Sequence, residues 1–121
     1  MEHEEFLALV EEAFEHLPEQ FREVVENVGI IVEDYPSEDV VDQMKLRSKH
    51  DLLGLYQGVP LTQRGTWYGM SPVPPDKISL YQKNIERESR GDLPAAIRDV
   101  LIHEIGHYFG MSEDQIRSAG Y

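Results

Sequence analysis

The sequence predicts an α+β fold in which a small mixed sheet packs on an N-terminal helix and on a longer helix near the C-terminus. Three observations carry this. Residues 4–17 place Phe6, Leu7, Val10, Ala13, Phe14 and Leu17 at three- and four-residue spacings, the stripe of an amphipathic helix. Residues 28–35 form a β-branched apolar run closed by Pro36, and residues 77–82 alternate polar and apolar; both patterns belong to strands. Residues 93–109 return to helical spacing through Ile97, Val100, Leu101, Ile105 and Tyr108.

Taken in order, the first helix ends at Pro18, and a second short helix follows over 19–25. The run at 28–35 reads as a buried strand. Ser37 then N-caps a short helix through Val40, Val41 and Met44. Residues 51–75 are rich in Gly and Pro; within them 52–60 pairs as strand and turn, and 64–69 forms a loop or short edge strand. Pro72, Pro74 and Pro75 exclude regular ladder positions. The 77–82 strand is expected to be half-buried beneath the last long helix, or to be an exposed edge able to hold an added strand. Asp92 is a suitable N-cap for that helix, with Pro94 in its first turn, where a missing N–H costs little. Ser112 to Gln115 read as a capping box that opens a short final helix.

The chain of 121 residues suits a single domain spanning 1–121, with no internal repeat or linker. Its formal net charge of -12 opposes nucleic acid and anionic membrane surfaces and favours neutral or basic substrates. No apolar run approaches the roughly 20 residues that span a bilayer. There is no cysteine, which excludes disulfides, thiolate ligands and thiol catalysis. Together with the acidic first residues, this leads to an expectation of a cytoplasmic protein. The oligomeric state is open between a single chain and a homodimer.

Residues 103–113 read H-E-x-x-H-x-x-G-x-x-E. Residues four apart share one helix face, so His103 and His107 can hold one metal ion. Zn²⁺ is the expected ion, bound by three protein ligands with the fourth position left for water. Glu104 follows the first ligand directly, where it can act as general base on that water. Gly110 can end the helix and turn the chain back, bringing Glu113 to the third ligand position, with Asp114 as the alternative. Acids at both places also suit the first turn of a helix without any metal. Two histidines and a glutamate are poor choices for packing in an apolar, capped helix, which favours a metal site over coincidence. Tyr121 either donates to an oxyanion or braces the metal ligands, or is simply a packed or frayed terminal residue. His3, His16 and His50 lack ligand spacing and read as surface residues. Tyr56, Trp67 and Tyr68 read as core or loop packing, and Met111 as apolar filler.

The chain resembles the mini-zincins, small bacterial zincin-like metallopeptidases. The resemblance lies in L-G-L-Y-Q-G-V-P-L-T-Q-R-G at 53–65, P-D-K-I-S-L-Y at 75–81 and H-E-I-G-H-Y-F-G-M-S at 103–112. The middle block is specific to that family, whereas H-E-x-x-H is common to many zincins. The family pattern is similar to that of Asp-zincins, H-E-x-x-H-x-x-G-x-x-D; here the last position is Glu113, with Asp114 one step on. The resemblance implies a minimal zincin-like metallopeptidase fold and a zinc-dependent hydrolase of peptide bonds, whose partner is a peptide or protein substrate. Two other readings stand beside it: a metal- or peptide-binding module with little catalysis, and zinc hydrolysis of a non-peptide amide.

Overall fold

A computed structural model describes residues 1–26, 28–58 and 76–118, without the side chains of 24–26. The elements run α1 (His3–Glu15), α2 (Glu19–Glu26), β1 (Gly29–Glu33), α3 (Glu38–Gln43), a 3₁₀ turn (Lys49–Asp51), β2 (Gly54–Gln57), β3 (Lys77–Tyr81), α4 (Gln82–Glu88), α5 (Leu93–Tyr108) and α6 (Glu113–Ser118). The expected strand or loop at 64–69, with Trp67 and Tyr68, and the terminal Tyr121 lie outside the described residues.

The core forms where the α1 stripe meets α5 and the sheet. Phe6, Val10, Ala13 and Leu17 are buried against Ile97, Leu101, Ile105 and Tyr108 of α5 and Ile78 and Leu80 of β3. Completely burying a Leu, Ile or Phe side chain is worth about 1.5–3 kcal/mol, so this cluster is what fixes α5 in place. α5 begins as expected, with Asp92 Oδ1 accepting from the Ala95 amide at 3.2 Å and Pro at the start of the helix. It ends at Gly110, whose φ of 82° is a left-handed turn that glycine adopts without strain. There the Gly110 amide donates to the His107 carbonyl and the Met111 amide to the Gly106 carbonyl, at 2.9 and 3.0 Å, the paired bonds of a Schellman ending. Ser37 Oγ caps α3 through the Val40 amide.

The sheet is mixed, in the order β1-β3-β2, with β1 parallel and β2 antiparallel to β3. The sheet and the helix that follows it correct three expectations. β1 is an edge strand: Gly29, Ile31 and Glu33 are exposed, because among the described residues it is paired on one side only and its outward face is uncovered. β3 is the central strand, with Ile78, Ser79, Leu80 and Tyr81 all buried, so it offers no free edge. The edge nearer the long helix is β2. Finally, Gln82 does not continue the strand but opens α4. That helix buries a single large apolar residue, Ile85, so it has no stripe to betray it. It is held by polar anchors, with Asn84 Nδ2 donating to the carbonyls of Lys49 and Leu52, both at 2.8 Å.

Candidate metal centre

His103 and His107 stand one turn apart on α5, their rings edge-to-face with centroids 5.1 Å apart. The Schellman turn at Gly110 reverses the chain and lays α6 against α5. α6 opens with the expected capping box: the Ser112 amide donates to Gln115 Oε1 at 2.7 Å, and the Gln115 amide to Ser112 Oγ at 3.2 Å. Glu113 thereby meets both imidazoles. Its Oε1 lies 2.7 Å from His103 Nε2 and 3.1 Å from His107 Nε2. The hydrogen bond with His103, and the charges of both histidines, hold the Glu113 carboxyl below its usual range. Asp114 is exposed and stands apart from this group.

One donor atom from each of the three residues lies within 4.8 Å of the others. Donors about 2.0–2.1 Å from a tetrahedral zinc are about 3.3 Å apart. The two spacings from Glu113 to the imidazoles, 2.7 and 3.1 Å, are tighter than that, and all three side chains are partly or largely exposed. The set of two nitrogens and one carboxylate oxygen therefore fits zinc.

Glu104 lies beside them against β2 and is only 5% exposed. Burial pushes its carboxyl up to about 7; the Glu113 charge adds to this, while His107 and a hydrogen bond from the Tyr56 amide pull it back. β2 reaches that position because Gly54 lacks a side chain. A Cβ there would stand 2.7 Å from Val100 Cγ1 and 3.3 Å from Glu104 Cγ. Sequence reasoning missed this support. A backbone donor has no residue signature, and its one trace is a glycine inside a strand, the usual mark of close approach. The Tyr56 ring packs edge-to-face on Tyr108 and its hydroxyl donates to Asp76 Oδ2 at 2.9 Å, consistent with the packing role expected of it.

An open cleft of about 1290 Å³ lies along β2 and α5. His103, Glu104, His107 and Glu113 line it, together with apolar Met44, Leu52 and Val100. Residues 25–121 match the zincin-like metallopeptidase family. The chain belongs to that family. The match covers every element from β1 onward and leaves α1 outside it. The small mixed sheet and helices are consistent with a small zincin-like fold. A search of the curated proteins finds no match. His3 and His16 are exposed and His50 is half-buried, edge-on to Tyr35; none belongs to a metal-capable group among the described residues. Met111 is half-buried beside the cleft. No helix among the described residues is long and apolar enough to cross a membrane.

Proposed function

We propose that this zincin-like protein is a zinc-dependent peptidase in which His103, His107 and Glu113 hold the metal and Glu104 is the general base. The observation that carries the reading is the convergence of three donor atoms within 4.8 Å beside a buried carboxyl, in a member of this family. Zinc, when bound, supplies Lewis acidity, which polarises a carbonyl and lowers the pKa of a water toward about 7. Glu104 takes the proton of the attacking water on its carboxylate and returns it to the leaving amine. The Tyr56 amide fixes the direction of that carboxylate, and its buried setting tunes the carboxyl toward neutral pH, where a base works best.

The substrate is a neutral or basic peptide, since the chain carries a net charge of -12. Residues 52–56 line the cleft, and β2 is paired with β3 alone among the described residues, which supports docking of an extended peptide along the β2 edge. Met44, Leu52 and Val100 suit an apolar side chain on that peptide.

The test is turnover of a peptide library by zinc-loaded wild type and by Glu104→Gln. The variant should keep its zinc and lose at least about 100-fold in rate. Retained hydrolysis would refute the role of Glu104. Zinc binding and peptide binding by wild type without any cleavage would assign a binding module instead.

A further inference from the structure

Gly106 sits between the two histidines of α5, three residues after His103 and next to His107, on the buried side of the helix. Nothing in its backbone demands glycine, since it lies inside a regular helix, where glycine costs about 1 kcal/mol relative to alanine. The reason for a glycine is across the turn. A Cβ at 106 would stand 2.7 Å from both Cγ1 and Cδ1 of Ile116 in α6. Ile116 is 1% exposed, so its side chain has no solvent to swing into. Its Cγ1 sits on a β-branched carbon that strongly prefers one rotamer in a helix, so moving it aside is costly without a shift of the helix.

Ile116 also lies three residues after Glu113, so both face α5 from one side of the same short helix. Glu113 reaches His103 and His107, while Ile116 fills the notch at Gly106. The spacing matches on both helices: a contact one turn beyond the carboxylate seats on the residue adjoining the second histidine. The Gly106 carbonyl also accepts the Met111 amide that closes the turn. Ligand positions in metal sites tolerate displacements of about 0.2 Å, far less than the width of a methyl group.

We propose that Gly106 and Ile116 are positioning residues that set the seating of α6 on α5 and thereby hold Glu113 in place as the third zinc ligand. The inference rests on the reading of His103, His107 and Glu113 as ligands and adds the pair that holds the third against the other two. Alanine at 106 raises helix propensity, so any loss it causes does not come from a weaker α5.

The test is zinc titration by calorimetry of metal-free wild type, Gly106→Ala, Glu113→Ala and both together, with Gly106→Ala/Ile116→Ala as the relief variant. Wild type should bind one zinc. Gly106→Ala should bind about tenfold to 100-fold more weakly, the usual cost of disturbing a ligand's support. In the Glu113→Ala background the same change should cost nothing further, because its target is gone. Removing the Ile116 side chain should restore part of the affinity. If Gly106→Ala does not fold, Ile116→Ala alone serves, since it deletes atoms and loosens the same seat; it too should weaken zinc only while Glu113 is present. Equal affinity of wild type and both single-site variants would overturn the inference and leave the peptidase reading standing. An equal loss with and without Glu113 would also overturn it. Absence of zinc binding by wild type would overturn both.

Discussion

Glu104 combines two properties that seldom occur together: it is charged in the unfolded chain at neutral pH, and in the fold it is 5% exposed with its carboxyl pushed up to about 7. In the metal-free protein this has a signed consequence for stability. Between the ordinary value of 4.5 and about 7 the folded state holds a proton that the unfolded state releases. Stability from this group therefore falls as pH rises through that window and is level above it. The span corresponds to about 3 kcal/mol, an upper figure because the cleft admits water. Urea unfolding of metal-free wild type should show lower stability at pH 8 than at pH 5, and Glu104→Gln should flatten that slope. Equal slopes in the two proteins would mean that Glu104 is not the raised group. The lowered carboxyl of Glu113 acts in the opposite sense: its contribution is present above pH 4.5 and lost as pH falls below that value. Its exposure keeps that contribution small.

At the scale of elements, α4 shows where sequence patterning stops being informative. α1 and α5 are legible because each carries an apolar stripe that a hydrophobic core demands. α4 buries one isoleucine and is held by hydrogen bonds to a loop more than 30 residues earlier, which no local pattern encodes. Those bonds matter for the site, because they pin the turn that leads into β2 and so the Tyr56 amide against Glu104. Replacing Asn84 with alanine should cost about 1–3 kcal/mol, the loss of two buried donors to carbonyls. Asn84→Asp should cost more, since it sets a carboxylate oxygen against two carbonyl oxygens 2.8 Å away. Urea unfolding orders the two variants, and hydrogen exchange at 53–57 reports whether β2 loosens with them. An aspartate no worse than the alanine would show that the two bonds do not carry the anchor. The strand order was equally hidden. β3 reads as half-buried because Lys77 and Ser79 are polar, yet Ser79 is buried between two flanking strands.

For the molecule as a whole, the candidate metal centre joins two helices that the chain otherwise connects by a short turn. Both histidines belong to α5, the helix packed on α1, α2, α4, β2 and β3, whereas Glu113 belongs to α6. A metal shared between them ties the C-terminal segment to the core. Zinc should accordingly raise the melting temperature. At a concentration 100 times the dissociation constant the gain is about 2.7 kcal/mol, or several degrees for a chain of this size. His107→Ala should abolish the shift, and an identical zinc effect in that variant would remove His107 from the ligand set.

Local features of this chain are legible residue by residue. The 3.6-residue repeat puts His103 and His107 on one face, Asp92 and Gly110 bound the helix that carries them, and Ser112 with Gln115 opens the next. These follow from hydrogen bonds and spacings within a few residues, so they can be read along the chain. Only packing between elements makes β3 central, buries Glu104 against β2, and sets Glu113 rather than Asp114 against the two imidazoles. Each of these depends on how separate elements seat on one another. Contacts such as Gly54 on Val100 and Ile116 on Gly106 set that seating, and their partners lie far apart in the sequence or across a turn.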